Sequence, residues 1–437
     1  MLPCKSLRTP PKQLPRIFGR ALRPFSVSGI QCQVKFKSYN NKSISLSIEH
    51  KTVLLNNIFL RDACDSLRSR DPYSKQKLFT TGSLDVTIRP AREPRFITRE
   101  DANSSIRGLQ VDWSDGASSF YTEEFLRRYA NAPQNCGEGR DLKSQMLYWD
   151  LETLRENEQE IVHNITYDKY MNDEKTLFTA LDNLNKYGMV FINDIPEGKE
   201  FIMPNGKWAI ENIAERIAYI RETFYGRLFD VKNIKEATNI AYTSTYLPLH
   251  MDLCYYEAPP GIQILHALQN STEGGDNVFA DSYRAALYVK EADQAAYDAL
   301  LKVPINYHYD HTEYYYAYSR PLITEDPVLG GIKEIAYSPP FQAPFERGIL
   351  EQDAHLFESF MRGMKLFEGF LNDPKNQYVI KTNERSAVLF NNRRTLHARK
   401  EFREVGAHSE RWLKGCYLDG DAFDSKLRVL YRKYGAQ

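Results

Sequence analysis

Apolar and polar residues alternate through "SISLSIEHKTVLLN" (residues 43–56), and the same two-residue period recurs in "LDVTI" (84–88) and "GLQVDW" (108–113). That period puts every second side chain on one face, so these segments predict half-buried strands broken by polar turns. "YTEEFLRRYA" (121–130) changes to a helical period. Residues 44–130 therefore read as a small β-rich domain. Residues 131–145, "NAPQNCGEGRDLKSQ", are polar and turn-forming, and with the start of the helical stretch that follows they make a connection over 131–160. Helical patterns in "DLETLRENEQEIV" (150–162) and "EKTLFTALDNLNKYG" (174–188) lead into the strand "MVFIND". Beyond it strands and loops dominate, with helices near 283–300 and 352–371. No internal repeat is present. Residues 161–437 are expected to be mainly β with helical insertions, a β-sandwich or jelly roll.

The chain has 437 residues, 42% hydrophobic and 13% aromatic, enough to bury a large core. No apolar run approaches the roughly 20 residues a membrane helix needs, so no membrane association is expected. The net charge of zero hides an asymmetry. Nine of the 57 basic residues precede Glu49, the first acid, so the remainder carries 48 basic against 57 acidic residues, a net charge of −9. A basic, Ser-containing, acid-free start reads as a mitochondrial transit peptide and linker over 1–43, with Arg23-Pro24-Phe25-Ser26 resembling a matrix-protease cleavage site. The expected location is the mitochondrial matrix. The alternative is a basic arm for nucleic acid or lipid, but the acidic remainder argues against a nucleic-acid partner. Cysteines at 4, 32, 64, 136, 254 and 416 form no Cys-x-x-Cys pair, which argues against a disulfide framework and for a reducing compartment.

Candidate chemistry begins at "YLPLHMDLCYYEAPPGIQILHAL" (246–268), where His250 stands two places before Asp252. On a strand, residues i and i+2 share a face, so both could reach one metal ion. Spacing alone is weak support, since His308/Asp310, His311/Glu313 and His408/Glu410 repeat it, and a hydrogen-bonded polar pair is the commoner meaning. Context separates them. Two histidines and a carboxylate on one face leave three adjacent positions open on iron, as in non-haem Fe(II) oxygenases. "SAVLFNNRRTLHARKEF" offers His397 after an apolar strand, and "ERWLKGCYLDGD" alternates Arg411, Leu413, Gly415 and Tyr417 on one strand face. A guanidinium fork there would suit the far carboxylate of 2-oxoglutarate. A cupin-like pairing through His308 and Asp310 is the alternative metal site, and His266 and His355 read as packed or surface histidines.

Seven segments in order, "FLRDACDS", "TFYGRLFDVK", "TNIAYT", "APPGIQILHAL", "GGDNVFAD", "FNNRRTLHARK" and "GCYLDGD", resemble the gamma-butyrobetaine and trimethyllysine dioxygenases of the taurine-dioxygenase-like Fe(II)/2-oxoglutarate oxygenases. The resemblance runs from about residue 44 to the C-terminus and is greater to the gamma-butyrobetaine branch. It implies a double-stranded β-helix, a form of jelly roll, and a homodimer. It also implies Fe(II) held by His250, Asp252 and His397, 2-oxoglutarate anchored by Arg411 beside Asn277, and ascorbate as reductant. Tyr225, Phe229, Tyr242 and Tyr417 match an aromatic cage, with Phe229 where a Trp is usual. Such a cage suits a quaternary trimethylammonium, which has no N–H to donate. Tyr225 and Phe229 would share a face if "FYGRLF" is helical. Asn239 stands where the trimethyllysine branch places an acid, so the resemblance points to hydroxylation of gamma-butyrobetaine to carnitine. Trimethyllysine or another trimethylammonium compound is the alternative, and an inactive binding or scaffold homologue is the alternative of a different class. Three departures besides Phe229 are evident. Asn277 replaces a usual Ser or Thr, and Ser338 lies in a segment lacking a usual Asn. The family's Cys-x-Cys-x-x-Cys zinc run is reduced to Cys64 in Cys64-Asp65-Ser66-Leu67-Arg68-Ser69, with Ala117 where a histidine would stand. No structural zinc is expected.

Overall fold

The computed structural model describes residues 33–435 apart from 102–103, 131–141, 199–200, 234–242, 329, 349–352 and 407–408. The chain divides into two compact units, 1–131 and 132–437. In the first, Lys35–Tyr39, Ser43–Ile48 and Lys51–Asn56 form one antiparallel sheet, and Arg95–Asp101, Ser104–Asp112 and Ser118–Thr122 form another. Alternate residues Ile44, Leu46 and Ile48 share a buried core with Leu109, Val111 and Trp113. Residues 84–88 do not form the expected strand. Asp85 accepts hydrogen bonds from the backbone N–H and hydroxyl of Thr87, each 2.8 Å, and the Ile88 N–H returns to the Asp85 carbonyl at 3.0 Å. This local turn satisfies the groups a sheet would have paired.

The second unit is built on eight strands: β1 (Phe229–Lys232), β2 (Leu247–His250), β3 (Ile262–Asn270), β4 (Asn277–Asp281), β5 (Tyr378–Ile380), β6 (Ser386–Asn391), β7 (Thr395–Arg399) and β8 (Arg411–Leu418). One antiparallel sheet runs β6–β3–β8–β1, extended past β6 by Met189–Ile192; the other runs β5–β4–β7–β2. Successive strands switch sheets at every step except β4 to β5. That winding is the double-stranded β-helix, a jelly roll.

Alternation along each strand divides the molecule into layers. Ile262, Ile264, Leu389, Cys416 and Leu418 face outward against helices α1 (Glu174–Tyr187), α2 (Ala209–Ile217) and α5 (Gly420–Tyr434). On the other sheet Leu249, Val278, Ala280, Leu396 and Ala398 pack against α3 (Ser282–Ala292) and α4 (Ala354–Asn372). The intervening residues of both sheets point at one another. Helix α1 starts and stops as its sequence predicts, with Asp173 accepting from the Lys175 and Thr176 N–H groups and Gly188 closing it at φ 77°. The single helix expected over 150–162 is instead Leu151–Glu156 followed by a π-helical turn, Gln159–His163. Asn157 interrupts it, bonding back to the Thr153 carbonyl at 2.8 Å and accepting from the Tyr187 hydroxyl at 3.0 Å.

Candidate metal centre and co-substrate pocket

The inward faces of the two sheets line a cavity. Strand register builds its centre. His250 on β2 and His397 on β7 are direct cross-strand partners, and their rings stand 4.1 Å apart. Asp252 is not on the strand with His250, as the two-residue spacing suggested; β2 ends at His250 and Asp252 lies in the turn that follows. Asn392, fully buried, holds that turn. Its Oδ1 accepts from the Asp252 N–H and its Nδ2 donates to the Asp252 carbonyl, each at 3.0 Å, and Nδ2 also reaches the Pro260 carbonyl at 3.2 Å. The result is that His250, Asp252 and His397 each turn a ligand atom to one point, all within 4.8 Å of one another.

These donors fit a divalent metal. The His250 Nδ1 donates to the Pro248 carbonyl at 2.8 Å, directing Nε2 toward Asp252 Oδ1 at 3.3 Å. Donors about 2.1 Å from one ion at right angles stand about 3 Å apart, close to that edge. Burial, and then the neighbouring His250, push the His397 imidazole down to about 3, so it is neutral at pH 7, the form that ligates. Burial opposes ionisation of Asp252, but contact with His250, then His397, and the Tyr417 hydrogen bond hold it well below the usual carboxylate range. The Tyr417 hydroxyl donates to Asp252 Oδ2 at 2.8 Å. The buried His397 Nδ1 has no hydrogen-bond partner, and nothing in the structure explains it. Among the described residues no other group of three His, Cys, Asp or Glu converges in this way. His308 and Asp310 lie on a separate hairpin strand with Asp310 exposed, and His408 is outside the described residues.

Arg411 enters the cavity from the first residue of β8, 3% exposed. Gly275 (φ 75°) lets it lie close to the backbone, since a Cβ there would come within 3.2 Å of its Cδ and Nε. Its Nη2 donates to Asn277 Oδ1 at 3.3 Å, and Asn277 Nδ2 donates to Thr382 Oγ1 at 2.6 Å, while the Arg411 Nε is buried without a partner. Asn277 thus stays polar and engaged where a hydroxyl was the usual residue. Sequence reading missed Arg399, although it stands two residues past His397 on the same strand and the same-face rule would have found it. Burial pushes Arg399 down to about 10; burial and then Arg399 push Arg411 down to about 9. A bound carboxylate would reverse both shifts. Asn392 and Gln263 were also missed, and neither carried a sequence signal.

Tyr225 and Phe229 do line the cavity with Tyr417, but not from one helix. Residues 223–226 form a tight turn, with the Thr223 and Gly226 backbones bonding each other, and Phe229 opens β1. The turn still brings the two rings to 6.0 Å, and Phe229 stacks on Tyr417 at 4.9 Å. Tyr255 and Phe341 complete the aromatic wall. Asn239 and Tyr242 lie outside the described residues.

The model of the taurine catabolism dioxygenase TauD, TfdA family matches residues 150–417. The chain is 35% identical to "Probable oxidoreductase AIM17" of Saccharomyces cerevisiae, over 91% of each chain. It is 32% identical to "Dioxygenase str8" of Strobilurus tenacellus, over 85% of this chain and 84% of that one. To the gamma-butyrobetaine dioxygenase of a Pseudomonas species it is 28% identical, over 86% and 90%. The chain belongs to the TauD/TfdA family and is a dioxygenase that uses Fe(II) and 2-oxoglutarate.

Proposed function

We propose that the protein hydroxylates gamma-butyrobetaine to carnitine, with His250, Asp252 and His397 holding iron and Arg411 and Asn277 anchoring 2-oxoglutarate. Iron with 2-oxoglutarate supplies the oxidising chemistry, consuming O2 and releasing succinate and CO2. The chain positions and shields. Tyr417 occupies Asp252 Oδ2 and leaves Oδ1 for the metal. Arg411 neutralises the distal carboxylate in a buried setting, where a charge-assisted pair is strong. The aromatic wall keeps water from the reacting carbon.

One observation carries the substrate assignment. Among the described lining residues the cavity has aromatic rings and two guanidiniums but one carboxylate, Asp252, which is committed to the metal cluster. A trimethylammonium is attracted by ring faces. The α-ammonium of trimethyllysine would need an acid, and butyrobetaine carries none. Because Phe229 and Tyr417 stack on each other, the cation would sit against the outer faces of the wall and not between those two rings.

A second reading, hydroxylation of a different substrate by the same chemistry, is favoured by the higher identity to the yeast oxidoreductase and the Strobilurus dioxygenase. The test is to supply Fe(II), 2-oxoglutarate and ascorbate and screen trimethylammonium compounds for succinate release and hydroxylated product. Butyrobetaine should turn over fastest. Tyr225→Ala should raise its KM about tenfold with little change for 2-oxoglutarate. Faster turnover of trimethyllysine or of an uncharged substrate would replace the assignment. A matrix location and a homodimer accompany this reading as proposals.

A further inference from the structure

Gln263 is 2% exposed on β3, lines the cavity, and its Oε1 has no hydrogen-bond partner. A buried amide oxygen without a partner costs about 1–3 kcal/mol unless a ligand or water completes it. Ile262 and Ile264 on either side face the outer helices, so the alternation of the strand drives Gln263 into the cavity.

Its level in the cavity follows from register. The cross-strand partners of Gln263 are Tyr417 on β8 and Phe390 on β6. Tyr417 bonds Asp252, and the Phe390 ring lies 4.9 Å from that of His397. Arg411, by contrast, pairs with Asn270 at the other end of β3. The amide therefore lies at the metal end of the cavity, and Leu265 and Leu413 line the wall between it and the arginine end.

We infer that Gln263 is a positioning residue that hydrogen-bonds the metal-binding end of 2-oxoglutarate, the end opposite the carboxylate held by Arg411. The co-substrate presents only acceptor oxygens there. The Gln263 amide lines the cavity and its NH2 group is the donor such oxygens require.

The inference needs no knowledge of the hydroxylated substrate, so its test uses Fe(II) and 2-oxoglutarate alone, without oxygen. Gln263→Met keeps length and apolar packing but removes the amide; Gln263→Glu keeps shape and adds a negative charge. Both are loaded with Fe(II), checked for iron content and thermal midpoint, and titrated with 2-oxoglutarate by the visible charge-transfer band of the complex. Gln263→Met should bind about tenfold more weakly, with a shifted band, and Gln263→Glu more weakly still. Wild-type affinity and band position in an iron-replete Gln263→Met would overturn the inference. So would a defect confined to the KM of the hydroxylated substrate.

Discussion

Asn392 stands five residues before His397 and does not itself line the cavity, yet it fixes the turn that carries Asp252. With both amide atoms on the Asp252 backbone, it replaces the strand pairing that ends at His250. Asn392→Ala should lower Fe(II) affinity by about 10- to 100-fold, measured by anaerobic titration, because the turn loses both its donor and its acceptor. His266 shows the other fate of a buried polar side chain. It points away from the cavity, 5% exposed with Nδ1 unpartnered, and burial pushes its imidazole down to about 4. Above pH 6.5 both folded and unfolded forms are neutral there. As pH falls from 6.5 toward 4 only the unfolded form takes the proton, so stability drains away with acid. At pH 5 the loss is about 2 kcal/mol. His266→Leu should flatten that part of the stability profile, read from denaturant midpoints at pH 7 and pH 5.

At the scale of elements, β8 shows how one strand carries several functions through alternation. Arg411, Leu413 and Tyr417 face the cavity, and Gly415 completes the face without a side chain. A Cβ at Gly415 would come within 2.2 Å of the Phe229 ring on β1, so glycine is what lets Phe229 lie inside and stack on Tyr417. Gly415→Ala should cost about 1–3 kcal/mol and raise substrate KM, as the ring is driven from the wall. Pairing it with Phe229→Leu should restore part of the stability in a double-mutant cycle. Periodicity, two-residue in β8 and helical in α1, made these elements and the jelly-roll architecture legible in sequence, because period is a local property. What stayed illegible depends on competition between local and distant bonds. "LDVTI" has a strand pattern that the Asp85 side chain defeats, and "FYGRLF" has helical spacing that the turn at Gly226 (φ 88°) overrides. His250, Asp252, His397 and Arg411 were visible because their chemistry is unusual in that order. Asn392 and Gln263 were not, because an amide acquires meaning only from what surrounds it.

At the scale of the whole catalytic unit, a buried ion pair holds the layers around the site. Arg394 and Asp281 are both fully buried, with Nη2 to Oδ2 at 2.8 Å and Nε to Oδ1 at 3.2 Å. Arg394 also donates to the Asn185 and Lys186 carbonyls at the end of α1, at 3.3 and 2.9 Å, and to the Leu147 carbonyl. Asp281 meanwhile accepts from the Trp149 N–H at 3.1 Å and caps α3 through the Tyr283 N–H at 3.0 Å. One pair thus joins the segment before the first helices, the end of α1, the end of β4 and the start of α3, and lies three residues before His397 on the entry to β7. Every lone pair and proton has a partner, which is the condition under which a buried pair offsets its desolvation. Arg394→Met leaves a buried carboxylate with three backbone donors and takes one donor from each of three carbonyls, so it should destabilise the fold by about 3–5 kcal/mol. Asp281→Asn, which keeps the shape and the cap but removes the charge, should cost less than Arg394→Met. Thermal midpoints of the two variants check the order, and equal or reversed losses would show that the Asp281 charge, and not the set of bonds made by Arg394, holds these layers.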